Sequence, residues 1–207
     1  MKILGIIGGM SPESTATYYT EINRLVNQKK GGNISAPIVM VSVEFEEIVQ
    51  CQKQSEWQRA GEILAEAGKK LEMIGAEGIV LATNTMHKVA PQIEQAISIP
   101  FLHILDATAD AIKSRGLNKV ALLGTKFTMS DNFYRDGLQQ RGIMPIVPID
   151  ETQNEIHRII FDELCVGKFL PTSKAFYLKI IDKLKNQGAE GVILGCTEIG
   201  LLVNQSD

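Results

Sequence analysis

Two short polar segments stand where apolar runs of strand length end. One follows residues 79–82 and the other follows residues 192–194. Hydroxyl, thiol, amide and carboxylate groups in such segments can transfer protons or bind an anionic ligand. Packing gives no reason for these groups to stand at the ends of buried strands. The segments consist of Thr83, Asn84 and Thr85, and of Cys196, Thr197 and Glu198.

Cys196 is the leading candidate for a reactive group. A helix beginning after it would favour the thiolate through its dipole and free N–H groups. A buried structural cysteine is the alternative, but Thr197 and Glu198 are polar neighbours. Glu198 is interpreted either as a group that positions donors or accepts a proton, or as a solvent-facing acid at a helix start. Cys51 and Cys165 are interpreted as bystanders that lie in the core or near the surface.

The two polar segments belong to an internal repeat. Residues 75–85 read GAEGIVLATNT, and residues 188–198 read GAEGVILGCTE, so that Thr83 matches Cys196. The repeat predicts two similar α/β halves whose polar strand ends face one another across a cleft, because ligands of open α/β sheets bind outside the carboxyl ends of the strands. The alternative is that the repeat records only the duplication of a folding unit.

Strand-length apolar runs alternate with amphipathic stretches along the chain. This alternation indicates parallel sheets covered by helices. We expect Ser11 to cap a helix that begins at Pro12, and Gly75 and Gly188 to follow helices in the left-handed conformation. The predicted strands are 3–7, 38–43, 79–82, 100–104, 120–123, 143–147 and 192–194, and the predicted helices lie near 12–29, 56–74, 86–97, 106–115, 130–141, 151–166 and 172–187.

The composition excludes several classes of protein. Of the 207 residues, 44% are hydrophobic and 22% are charged, and the formal net charge of −3 disfavours a nucleic-acid partner. The sequence contains neither an apolar run of membrane-spanning length nor a signal-peptide pattern, so we expect no membrane partner. Three cysteines are too few for a disulfide framework, and we therefore expect a reducing, cytoplasmic location. Neither metal-ligand spacing nor a nucleotide-binding glycine motif occurs, so we expect no metal and no cofactor.

The segments GGMSPEST, ATNTMH and GCTE together resemble the aspartate/glutamate racemase family of cofactor-independent amino-acid racemases. The resemblance extends over essentially the whole chain, and VLATNTMHKVAPQIE and GVILGCTEIGLLV are similar to the branch that acts on both aspartate and glutamate. It implies two pseudo-symmetric, doubly wound α/β domains with central, mostly parallel sheets and the active site in the interdomain cleft. We place these domains at residues 1–98 and 99–207. An acidic amino acid is the implied substrate, and we expect a homodimer.

The resemblance also implies a reaction with two acid/base groups, one on each face of the substrate Cα. Most members have cysteine where this chain has Thr83, and a hydroxyl is a poorer base than a thiol. Gln52 is interpreted either as a polar substrate contact or as a solvated helix residue. His87 is interpreted either as catalytic or as structural. At matching positions the resemblance assigns proton transfer to Thr83 and Cys196, and substrate contacts to Met10, Gln52, Asn84, Thr85 and Thr197. Independently of the resemblance, Gly9, Met10 and Ser11 follow the first strand and should open a helix with free N–H groups, which is an anion site. Ser11 and, under its first interpretation, Glu198 therefore join the expected substrate-contact residues.

Two further departures from the family concern the distal carboxylate and the end of the chain. Many aspartate-specific members hold that carboxylate with an Arg and a Lys, and here Cys165 falls near the Lys position while Lys168 is shifted. The family's C-terminal strand and helix have no counterpart in the sequence. Two alternatives remain open, a one-cysteine carbanion enzyme of the malonate decarboxylase or maleate isomerase type, and a catalytically idle protein that binds acidic ligands.

Overall fold

Seven strands form two parallel sheets in the computed structural model, which describes residues 1–207. One sheet lies in the unit Met1–Ile104 and the other in the unit Leu105–Asp207. Their strand orders are β2-β1-β3-β4 and β6-β5-β7. The predicted α/β class with parallel sheets is therefore confirmed. The strands are β1 (Leu4–Gly8), β2 (Ile38–Ser42), β3 (Ile79–Leu81), β4 (Phe101–Leu102), β5 (Lys119–Leu123), β6 (Met144–Ile146) and β7 (Gly191–Leu194).

The helices include two that the sequence pattern did not predict, namely α2 and α6. The first has nine residues and begins after Glu44, which is not one of the usual N-capping residues, and the second has only five residues. The four-residue α10 is the helix expected after Cys196. The helices are α1 (Pro12–Lys30), α2 (Phe45–Lys53), α3 (Trp57–Met73), α4 (Ala90–Ala96), α5 (Ile104–Lys113), α6 (Lys126–Ser130), α7 (Asn132–Gln140), α8 (Asp150–Asp162), α9 (Pro171–Asn186) and α10 (Ile199–Leu202), with 3₁₀ turns at Thr85–Val89 and Leu164–Val166.

The first unit extends beyond residue 98, where the sequence placed its end. In β4, Phe101 aligns with Ile79 and Leu102 aligns with Val80 of the neighbouring strand. A division after residue 98 would remove this strand from its sheet.

The two sheets use the same register between their repeated strands. Ile7 of β1 aligns with Leu81 of β3, and Leu123 of β5 aligns with Leu194 of β7. Both pairs are parallel and stand at the carboxyl ends of the strands. The repeat in the sequence is thus a repeat of local structure.

The glycine and alanine of each GAEG segment end a helix. Gly75 and Gly188 have φ values of 95° and 94°, as their positions after α3 and α9 predicted. The next residue in each segment donates a backbone hydrogen bond back into the helix, from Ala76 N to Leu71 O and from Ala189 N to Leu184 O, each at 3.0 Å. This is the bonding of a Schellman motif, which satisfies the last carbonyls of the helix.

The glutamate of each GAEG segment binds the backbone at the start of the neighbouring strand. Glu77 Oε2 accepts a hydrogen bond from Ile3 N at 2.9 Å. Glu190 Oε2 accepts from Asn118 N at 3.0 Å and from Lys119 N at 3.1 Å, and these bonds lower the pKa of Glu190. The GAEG part of the repeat therefore serves folding, and it leaves the polar residues after the strands unexplained.

Each unit has its own buried core. In the first, Leu64 and Leu71 of α3 pack with Ile7 of β1 and Leu81 of β3. The second packs helices α8 and α9 on β5 and includes Tyr177. A cavity of about 900 Å³ lies along β7 in the second unit, and none of the predicted site residues lines it. No helix combines the length and apolar character needed to cross a membrane.

Candidate functional site

Thr83 and Cys196 are presented by the same local structure in their respective units. The residue before Thr83, Ala82, donates its N–H to Ile7 O at 2.9 Å. The residue before Cys196, Gly195, donates its N–H to Leu123 O at 2.6 Å. Both side chains are partly exposed. Each group therefore follows directly after the last hydrogen bond between its strand and the neighbouring strand.

The start of α1 is bonded to the end of β3. Ser11 caps the helix as predicted, because its Oγ accepts a hydrogen bond from Ser14 N at 3.2 Å. Ser14 Oγ in turn donates to Ala82 O at 3.1 Å. This bond joins the helix N-terminus to the residue that precedes Thr83, so the predicted anion site and the predicted proton-transfer group lie together.

The loop between β1 and α1 offers fewer free donors than the sequence suggested. Gly9 N donates to Thr15 Oγ1 at 2.8 Å, so this N–H is already used inside the protein. The side chain of Met10 is buried in the core of the first unit, and any contact from Met10 to a ligand has to come from its backbone. A Cβ on Gly9 would approach Val43 O to 2.3 Å, which explains the glycine.

Gln52 lies against the 3₁₀ turn that follows Thr83. Its Nε2 donates to Met86 Sδ at 3.0 Å, and the side chain is half-buried. Thr85 begins the same turn and is buried, and Asn84 precedes it. The structure thus places Gln52 beside the turn that Asn84 and Thr85 begin, and its half-buried side chain is bonded within the protein and is not fully solvated.

His87 is structural in this arrangement. Its Nε2 accepts a hydrogen bond from Ile104 N at 3.2 Å, and its Nδ1 lies 2.8 Å from Thr83 O. A neutral ring whose Nε2 accepts carries its proton on Nδ1, which therefore donates to Thr83 O. Burial, together with His103, lowers the pKa of His87 to about 3. Both ring nitrogens fix the backbone, and neither is available for proton transfer.

In the second unit, Cys196, Thr197 and Glu198 form a hydrogen-bonded group. Cys196 Sγ donates to Glu198 Oε2 at 2.9 Å, and Thr197 Oγ1 donates to the same oxygen at 2.8 Å. Glu198 is buried, whereas Thr197 is exposed. The interpretation of Glu198 as a solvent-facing acid is therefore wrong. Its carboxylate is placed to accept the proton of the thiol.

The expected thiolate is not the favoured form of Cys196 in this structure. Burial raises the pKa of the thiol well above its usual value, and the negative charge of Glu198 raises it further. The following helix, α10, is only four residues long, and its dipole does not offset these effects. The sequence prediction considered the helix and not the buried acid two residues away.

The other two cysteines lie away from the strand ends. Cys51 is buried on α2, and burial raises the pKa of its thiol. Cys165 is exposed in the turn Leu164–Val166 and is near enough to Cys196 to contribute to the raised pKa of that thiol. Neither follows a repeated strand.

A family model for Asp/Glu/hydantoin racemases matches residues 7–207. The chain belongs to this family. Among its relatives, the broad specificity amino-acid racemase RacX of Bacillus subtilis (strain 168) is 23% identical over 204 residues, which are 98% of this chain and 88% of RacX.

Solved structures of family proteins share the fold of this racemase-family chain. A candidate Asp/Glu racemase from Yersinia pestis superposes with a TM-score of 0.94 at 51% identity, covering 100% of this chain and 90% of that one. An aspartate racemase homologue from Pyrococcus horikoshii OT3 superposes with a TM-score of 0.86 at 39% identity, with the same coverage. The expected family membership is thus confirmed.

Sequence analysis missed two residues of this family member, one close to the polar strand end of each unit. Ser14 joins α1 to β3, and its position three residues after the cap Ser11 was the available signal. Tyr177 on α9 is fully buried in the core against which Cys196 packs. Its sequence neighbours give no signal that separates it from an ordinary core residue.

Proposed function

We propose that this protein racemises aspartate and glutamate by proton transfer at Cα, without a cofactor. The observation that carries the proposal is the hydrogen bond from the Cys196 thiol to the buried Glu198 carboxylate. A cysteine with a base in direct contact can be converted to a thiolate when it is needed, although its resting pKa is high. Family membership supports the same reaction class.

In the proposed reaction Cys196 acts on one enantiomer. Its Sγ–H proton passes to Glu198 Oε2, which leaves a thiolate and a neutral carboxylic acid. The thiolate then takes the proton from Cα, and the electron pair of the broken C–H bond remains on Cα and spreads into the substrate carboxylate. In this order of steps Cys196 is a thiol in the resting protein and becomes a thiolate only during turnover, which agrees with its raised pKa.

Thr83 serves the opposite face of Cα in this proposal. Its hydroxyl donates a proton to Cα while a water molecule returns one to it, so the hydroxyl does not have to ionise before the step. The hydroxide that remains takes the proton held by Glu198, which restores the carboxylate and the water. The backbone around Thr83 is fixed by the bond from His87 to Thr83 O. A fixed donor is more effective than a mobile one, because less orientation entropy is lost in the transition state.

The developing negative charge requires donors that are already oriented. The start of α1 supplies a helix N-terminus, which favours an anion such as the substrate α-carboxylate. Within the same proposal, Met10 contributes through its backbone and Ser11, Gln52, Asn84 and Thr85 contribute contacts in the first unit. In the second unit, Thr197 offers a hydroxyl beside the reacting thiol.

The direct test is a chiral assay of the purified protein with each enantiomer of aspartate and glutamate. We expect both enantiomers of at least one substrate to converge on an equal mixture. A product that is no longer an amino acid would indicate a related carbanion reaction, such as decarboxylation of a malonate or isomerisation of maleate. Binding without any conversion would indicate an idle acidic-ligand binding protein. Either of these results would overturn the proposal.

A further inference from the structure

Tyr177 places a hydroxyl group in the core of the second unit with no hydrogen-bond partner. The side chain is 0% exposed, and its Oη is a buried polar atom that neither donates nor accepts. Such a group loses its hydration without compensation, which opposes folding. A phenylalanine would fill nearly the same space without this cost. The hydroxyl therefore calls for an explanation other than stability.

The polar groups around Tyr177 are already hydrogen-bonded to one another, with the exception of Cys196. Ser173 lies one turn earlier on the same face of α9, and its Oγ donates to Glu163 Oε2. Arg158 Nη2 donates to the other oxygen, Glu163 Oε1, at 2.8 Å. Both carboxylate oxygens of Glu163 are thus engaged by donors other than Tyr177. The remaining reactive neighbour is Cys196, which packs against the same core cluster.

We propose that Tyr177 is a positioning residue for Cys196, with a hydroxyl that has no partner while Sγ is a thiol and supports the negative charge once Sγ becomes a thiolate. The proposal rests on the proposed function, in which that thiolate forms during turnover. A donor already buried beside the developing charge does not have to be reoriented or dehydrated at the moment of reaction. The free-energy cost of burying this hydroxyl without a partner instead lowers the stability of the folded protein before the reaction begins.

The charges near Cys196 make such a donor useful. Glu198 and Cys165 both raise the pKa of the Cys196 thiol and so oppose the thiolate. Tyr177 is a neutral donor among these groups. Burial, with further contributions from Cys196 and Glu163, raises the pKa of Tyr177. The phenol therefore keeps its proton when the thiolate is present and remains able to donate.

The test is the variant Tyr177→Phe, examined through thiol ionisation, turnover and thermal stability. The pH dependence of alkylation at Cys196 by iodoacetamide, followed by site-resolved mass spectrometry to separate it from Cys165, gives the thiol pKa. We expect that pKa to rise by about one unit and kcat to fall roughly tenfold with little change in KM. We expect Tm to stay the same or rise, because an unpartnered buried hydroxyl has been removed.

Tyr134→Phe is the matched control, since Tyr134 is also fully buried in the second unit but lies on α7. It should leave the Cys196 pKa and kcat unchanged. An unchanged pKa and kcat in Tyr177→Phe, or a loss of activity that follows a lower Tm, would overturn the proposal. If the parent protein has no racemase activity, the proposed function fails, and the alkylation profile still decides whether Tyr177 acts on Cys196.

Discussion

The thiol of Cys196 donates a hydrogen bond to the buried carboxylate of Glu198 at 2.9 Å. The two residues are two positions apart in the sequence, so this contact is a property of the loop after β7 itself. It couples a cysteine whose pKa is raised by burial to an acceptor for its proton. The ionisation of the thiol is thereby linked to the protonation of one named carboxylate, and this link can be tested by substitution.

Replacing Glu198 with glutamine separates the two effects of the carboxylate. Its charge raises the pKa of Cys196, so Glu198→Gln should lower that pKa and increase the thiolate fraction at neutral pH. Turnover should nevertheless fall by about 10²–10³-fold, because the acceptor for the thiol proton has been removed. Alkylation rates against pH and racemisation rates measure the two quantities. A turnover that rises with the thiolate fraction would show that Glu198 is not the proton acceptor.

His87 should make the fold sensitive to acid. Its pKa is about 3 in the folded protein, against 6.5 for an ordinary histidine. Between these values the unfolded chain binds a proton that the folded chain does not. The contribution of neutral His87 to the free energy of unfolding is therefore fully present above pH 6.5 and is lost as the pH falls. At pH 4.5 the loss should be about 2.5 kcal/mol. Urea unfolding at pH 7 and pH 4.5 measures it.

The control for this prediction is His87→Gln, which has no imidazole to titrate. The variant should be less stable at pH 7, because the bonds to Thr83 O and from Ile104 N are disturbed. Its free energy of unfolding should change less between the two pH values than that of the parent. Equal pH dependence in both proteins would place the acid sensitivity elsewhere.

Gly75 should be required for its backbone conformation alone. Its φ is 95°, and a Cβ at this position would meet nothing within 4 Å. Gly75→Ala should therefore destabilise the protein by about 1–2 kcal/mol through backbone strain and not through a clash. Gly200, which is helical and equally unobstructed, is the matched position. Gly200→Ala should be neutral or stabilising by up to about 1 kcal/mol in chemical denaturation, and equal losses at both positions would contradict the explanation.

Substitutions of Thr83 should affect inversion of the substrate and exchange of its Cα hydrogen differently. Thr83→Ala should lose racemisation but keep exchange of the Cα hydrogen for the enantiomer that Cys196 serves. Thr83→Cys should raise turnover, because a thiol transfers protons more readily near neutral pH than a hydroxyl. NMR of each pure enantiomer in D₂O distinguishes exchange from inversion. Racemisation by Thr83→Ala at the rate of the parent would exclude Thr83 as the second acid/base group and would direct attention to water or Glu198.

Patterns with a local cause were predictable from the sequence. The seven apolar runs became the seven strands, and the cap at Ser11 and the left-handed glycines at 75 and 188 followed from chain-local rules. Helix α2 was missed because it is short and begins after Glu44, which is not one of the usual N-capping residues. That omission mattered, since Gln52 lies on α2 and reaches the turn after Thr83 through Met86.

The protonation of the candidate site could not be read from residue types. The sequence suggested a thiolate at Cys196, but the pKa of a thiol depends on burial and on charges brought near it by the fold. Likewise, the role of His87 depends on Ile104 N, which lies far from it in the sequence. The lack of a partner for Tyr177 is visible only when the whole core is assembled.

The most direct test of the account compares the parent protein with Cys196→Ala and Cys165→Ala, using L- and D-aspartate and L- and D-glutamate in D₂O. Loss of the Cα proton signal and the enantiomer ratio are followed together by NMR and chiral chromatography. We expect the parent and Cys165→Ala to exchange and racemise at least one of these substrates. We expect Cys196→Ala to remain folded, to show no inversion and to lose exchange of the enantiomer that Cys196 serves. Full turnover by Cys196→Ala, or the absence of any Cα exchange in the parent, would contradict it.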